Sequence, residues 1–221
     1  MFVDRLVEYI SIFLALVIVM PAHEFAHAFV ADKFGDDTPR VNGRLTLNPL
    51  AHFDTYGLLA LMLVHFGWGK PVPVNPNKFK KRTLGCIMVS ISGVLANFLL
   101  SFIIYPICIL AIMHVGDFGY FDDVLVNTLY FIFAISLNFF AFNILPLFPL
   151  DGFKLLETLH GRGKVYEFFL NYGQKILLAL IILGIVADWS GIYYLDVLGM
   201  YIRLVSGWLS MPISMFWGLF F

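Results

Sequence analysis

Charge is what this 221-residue sequence has least of. Asp, Glu, Lys and Arg make up 13% of it, about half the share of an ordinary soluble domain. Residues 87–113 and 124–150 contain none at all. The net charge is −1, so there is no basic excess with which to hold nucleic acid. Only two cysteines occur, Cys86 and Cys108, both in apolar runs. Their spacing fits neither a zinc nor a disulfide framework, and both read as small buried hydrophobes. No internal repeat and no low-complexity stretch is present. The first apolar run lacks the basic start and small-residue cleavage site of a signal peptide, and it carries Asp4, Glu8, His23 and Glu24; it is expected to be retained.

What fills the space is hydrocarbon. Apolar residues make up 60% of the chain, with 24 Phe, and the mean hydropathy is +0.86. This composition predicts an all-α polytopic membrane protein. A crossing needs about 20 largely apolar residues. Three stretches meet that clearly, at about 6–34, 86–113 and 124–145, and a fourth lies at 176–195. The tail 197–221 is apolar but interrupted by Arg203 and Pro212, and either spans or lies in the interface. The run 56–68 is too short to span comfortably and is expected to be re-entrant or interfacial. Expected overall are a three-helix core and one to three further membrane segments.

The basic residues give an orientation. Residues 31–85 hold eight Lys or Arg and residues 152–175 hold four more, whereas the connector 114–123 holds none and carries Asp117, Asp122 and Asp123. The positive-inside bias puts the basic stretches in the cytoplasm and the connector outside. Between the first two long runs, Pro49, Pro71, Pro73 and Pro76 preclude a long helix. Alternating residues at 44–47 and 71–74 predict short strands at the cytoplasmic membrane edge, the second offering an edge for substrate pairing.

The motif HEFAH, residues 23–27, closes the first apolar run. On a helix, residues i and i+4 share a face, so His23 and His27 can turn ring nitrogens to one ion. Glu24 sits about 100° around, placed to reach a water rather than to be the main ligand. This is the HExxH spacing of zinc proteases, with Glu as general base. By chance such a pattern arises readily on a soluble helix; within lipid, ionisable groups are costly and mark function by default. A helix entering near residue 6 crosses about 30 Å by about residue 25, which sets the histidines just inside the cytoplasmic boundary.

A catalytic zinc takes three protein ligands and keeps one open position. The best third candidate is Asp151, in FNILPLFPLDGFK, just past the cytoplasmic end of the third run and therefore level with the histidines. Taken alone, Asp-Gly is as readily an ordinary turn. Asn97 and Asn143 are candidates to orient substrate backbone or stabilise an oxyanion; helix–helix contact is the plainer role for each. His52, in NPLAHFD, is assigned a structural role, His65 an interfacial one, and His114 and His160 a solvated one.

These stretches together resemble the site-2 protease family of intramembrane zinc metalloproteases, and its small prokaryotic members in particular. The resemblance covers about residues 20–155 and includes HEFAHAFVADKFGD, GRLTLNPLAHFD, FGWGKPVPVNPNKF, SGVLANF and FNILPLFPLDG. It implies one Zn²⁺ per chain held by His23, His27 and Asp151, with Glu24 as the catalytic base and a core of three helices. The chain departs from the family pattern at Thr55 and Tyr56, where Asp-Pro is expected, at Val94, where Pro is common, and at Phe153, where Gly is frequent; none is an implied ligand. The expected organisation is one domain over 1–221, with a catalytic core at about 6–155, C-terminal membrane helices at about 174–221 and no added regulatory domain. The expected activity is hydrolysis of peptide bonds in or near transmembrane segments, in a multi-pass protein of the cell membrane with its site near the cytoplasm. The partners implied are membrane protein substrates and the lipid bilayer. The competing reading is a membrane metal-binding or transport protein without peptidase activity; a transporter would spread carboxylates over several helices.

Overall fold

The computed structural model describes residues 2–64, 67–114, 119–161 and 163–221. The described chain is helical throughout. Eight α-helices follow in order: α1 (Phe2–Lys33), α2 (Thr38–Val41), α3 (Thr55–Val64), α4 (Arg82–His114), α5 (Tyr120–Asn143), α6 (Asp151–His160), α7 (Lys164–Ser190) and α8 (Val197–Trp217). Three of them, α4, α5 and α7, are long and apolar enough to cross a membrane. At 1.5 Å per residue the 33-residue α4 reaches about 50 Å, well beyond a hydrocarbon layer of about 30 Å. Its flank Leu95, Leu99, Ile103, Ile107 and Leu110 stays exposed, a continuous apolar stripe that water would not tolerate and lipid would. The protein is an all-α, multi-pass membrane protein.

The helix α1 is not among those three by length and composition. It nevertheless packs against both α4 and α5, which also pack on each other. Ala15 and Val19 of α1 meet Ile132 of α5 at zero or near-zero exposure, and Leu100 and Ile104 of α4 close the seam. The opposite flank of α1, with Leu6, Ile10, Phe13 and Ile18, is apolar and exposed. Small residues set the close approach: Gly93 of α4 lies so near α1 that a Cβ there would come within 2.4 Å of the His27 ring.

Two boundaries differ from the sequence expectation. The fourth long helix starts at Lys164, a dozen residues early, because KVYEFFLNYGQK keeps good helix formers with only one glycine. The short strands expected at 44–47 and 71–74 are not strands; among the described residues the only bridge joins Phe53 to Gly69. Pro71 and Pro73 have no N–H to give a ladder, and the intervening Val72 N–H is taken by Glu24. The run expected at 56–68 is the ten-residue α3, about 15 Å long and too short to span.

The connector between α1 and α4 is tied by buried polar groups. Asp36, fully buried, accepts from Thr38 N at 3.0 Å and Asn75 N at 2.6 Å. Arg44 donates to the Lys70 carbonyl. His52, also fully buried, bonds through Nε2 to the Thr46 carbonyl at 2.8 Å, a loop-holding role. His65 lies outside the described residues, His160 is exposed, and exposed His114 turns back to the Leu110 carbonyl at 3.1 Å. Near the C-terminal helix, Arg203 pairs with Asp196 at 3.2 Å.

Candidate active site

Three elements converge at one end of the bundle. The last third of α1 carries His23 and His27, one helical turn apart and facing α4. The chain leaves α5 at Asn143, passes Pro146 and Pro149, and re-enters a helix at Asp151, the first residue of α6. Gly152 allows this return, since a Cβ there would lie 2.2 Å from the Ile144 carbonyl oxygen. The count of depth along two separate helices, made from sequence, thus leads to side chains in contact.

The contacts are close and nearly equilateral. His23 Nε2 lies 3.1 Å from His27 Nε2, and Asp151 Oδ2 lies 3.2 Å from the first and 3.0 Å from the second. All three residues are about 95% buried. Around a tetrahedral ion with bonds of about 2.0–2.1 Å, neighbouring donors stand about 3.3 Å apart, so this triangle fits one face of a zinc-type tetrahedron. Asp151 Oδ2 supports the fit, because it is buried and takes no well-directed hydrogen bond. Gly93 supports it too: an added Cβ would fall 2.4 Å from His27 Nε2 and 2.7 Å from His23 Nε2. Among the described residues this is the one group of three His, Cys, Asp or Glu side chains able to hold a metal.

The ligand atoms are oriented from behind. His27 Nδ1 lies 2.7 Å from the Val89 carbonyl, a pure acceptor, so the proton sits on Nδ1 and Nε2 keeps its lone pair. Ser92 Oγ donates to the same carbonyl at 2.8 Å. Asp151 Oδ1 accepts from Lys154 Nζ at 2.8 Å, which leaves Oδ2 to face the rings.

Glu24 is half-buried, and its Oε2 accepts from Val72 N at 3.1 Å. It lies where two cavities meet. One, of about 400 Å³, has a mixed lining, with Lys154, Glu157, Thr158 and Ser90 beside Val74, Phe79 and Val89. The other, of about 540 Å³, is lined by Leu16, Met20, Phe139, Leu177 and Ile181 among others. His23, Glu24 and Asn143 border both. Asn143 donates to the Phe139 carbonyl at 3.1 Å, leaving its oxygen unassigned to the helix. Asn97 is fully buried, borders neither cavity and lies beside His23, its Nδ2 3.1 Å from His23 Nδ1. The sequence held a cue to this, since Asn97 follows Gly93 by four and shares its face. Lys154 and the Val72 amide went unforeseen; a lysine three residues after Asp151 on a helix is a cue to the first, and a backbone amide leaves none.

The family model described as Peptidase family M50 matches residues 111–184, which hold most of α5, the turn to Asp151 and most of α7. The Bacillus subtilis protein YwhC, named a "putative zinc metalloprotease", is 40% identical over 153 residues, 68% of this chain and 69% of its own length. The chain belongs to peptidase family M50, the site-2 protease family. A second M50-like relative, Rip2 of Mycobacterium tuberculosis, carries the same description and is 28% identical over 209 residues, 90% of this chain and 77% of its own. A Methanocaldococcus jannaschii protein named a zinc metalloprotease is 22% identical over 183 residues, 80% of this chain and 43% of its own. No solved structure matches the chain.

Proposed function

We infer that this M50 peptidase is a zinc endopeptidase that hydrolyses peptide bonds in or near transmembrane segments of other membrane proteins. The observation that carries the reading is the meeting of His23, His27 and Asp151 beside Glu24, where a strongly apolar cavity adjoins one of mixed lining. His23, His27 and Asp151 are the residues to hold Zn²⁺, which supplies Lewis acidity toward a water and a peptide carbonyl. Glu24 takes the proton from the attacking water and returns it to the leaving amine nitrogen, so that one water is consumed per bond cut. The apolar cavity suits a lipid-borne segment, and the charged Lys154 and Glu157 on the rim of the mixed one suit the entry of water. A substrate helix buries its peptide groups in its own hydrogen bonds and must unwind first; helix-weakening residues near the cut favour cleavage. Asn143, bordering both cavities, is suited to hold an unwound backbone or the developing oxyanion.

The site belongs on the cytoplasmic side. The end of α1, the start of α4 and the end of α5 lie together, and the stretches that follow or precede them, 31–85 and 152–175, are the basic ones. A transport role is disfavoured because the metal-type side chains of the described residues gather in one cluster rather than along a path.

Replacing Glu24 by Gln tests the reading. Purified Glu24→Gln should keep one zinc per chain while cleavage of a co-expressed membrane substrate falls by about 10²–10⁴. Unchanged cleavage would remove Glu24 from the reaction, and absence of stoichiometric zinc in the wild type would remove the metal centre.

A further inference from the structure

The two histidines are not supported alike. His27 Nδ1 faces a backbone carbonyl, which can only accept. His23 Nδ1 faces the side chain of Asn97, whose Nδ2 lies 3.1 Å away. The Asn97 amide has one end that donates and one that accepts, and a half-turn exchanges the two.

To offer Nε2 to an ion, a neutral His23 carries its proton on Nδ1. That N–H calls for an acceptor, and the Asn97 side chain beside it holds one. Its Oδ1 is buried and engages no partner among the described residues, and a half-turn of the amide exchanges oxygen for nitrogen in the same volume.

We propose that Asn97 is the positioning residue for His23: with metal bound, its Oδ1 accepts the His23 Nδ1–H, fixing the tautomer that presents Nε2 to the ion. This rests on the zinc-site reading and adds to it a residue from a third helix. Aspartate accepts at that place as asparagine does, and leucine does not.

The test uses the full-length protein in detergent, with zinc affinity read by competition against a chromogenic chelator and the His23 protonation site read by nitrogen-15 NMR. In the zinc-loaded wild type, the His23 proton should sit on Nδ1. Asn97→Leu should weaken zinc about 10–100-fold, the usual cost of losing a group that orients a metal-bound histidine. Asn97→Asp should bind zinc at least as tightly as the wild type. A loaded His23 without a proton on Nδ1, an Asn97→Leu affinity equal to wild type, or a tenfold loss in Asn97→Asp would each overturn the proposal while leaving the zinc site intact. A wild type that binds no zinc would overturn the site itself, and this proposal with it. If Asn97→Leu loses its helical signal, the wild-type spectra and Asn97→Asp still decide.

Discussion

Gly93 shows how much of the site hangs on one missing side chain. A methyl there would press on both ligand nitrogens, at 2.4 and 2.7 Å, with no flexible end to yield. Gly93→Ala should therefore lose stoichiometric zinc, measured by metal analysis of the purified protein. Gly207→Ala in α8 is the control, because an added Cβ there meets nothing within 4 Å. Zinc content should be unchanged in that variant, and the helix steadied by roughly 0.5–1 kcal/mol. At this scale the sequence was readable where chemistry is rare in lipid. Two histidines, a glutamate and a distant aspartate stand out against runs without charge. Val72 and Asn97 were not readable in the same way: one acts through its backbone, and the other depends on which helix lies across from it.

At the scale of elements, hydrophobic runs located the long helices, and their ends moved by a few residues. The exception is α7, whose first turns mix Lys164, Glu167 and Asn171 with apolar and aromatic residues and extend past what hydropathy marks. The segment 71–74 was misread because alternation of residues ignores whether the amides are there to pair. What holds that segment instead is Asp36, which reaches from the end of α1 to the amide of Asn75. Asp36→Ala would leave two partly buried donors, Thr38 N and Asn75 N, without their acceptor and should cost about 1 kcal/mol for each hydrogen bond lost. Hydrogen exchange at Val72 and Asn75 should rise in that variant, while exchange in the α4–α5 seam stays as in the wild type. An unchanged rate at Asn75 would show that the segment is held some other way.

For the whole molecule, the proposed orientation rests on where basic residues are absent. A cysteine-free background, with Cys86 and Cys108 replaced by Ala, permits single-cysteine labelling of intact cells. Lys80→Cys should resist a membrane-impermeant thiol reagent added outside, and Tyr120→Cys should react with it. The opposite pattern would invert the topology and bring the site to the outer face.

The chain positions of the three metal-type residues carry one last consequence. Positions 23 and 27 lie near one end of the chain and position 151 lies after the third long helix, so a single ion would clasp segments more than a hundred residues apart. Its binding energy is then also folding energy, of about 4 kcal/mol when free zinc stands a thousandfold above its dissociation constant. Chelation should therefore do more than silence the peptidase. It should lower the melting temperature of wild type and Glu24→Gln alike, and leave His23→Ala, already unclasped, where it was.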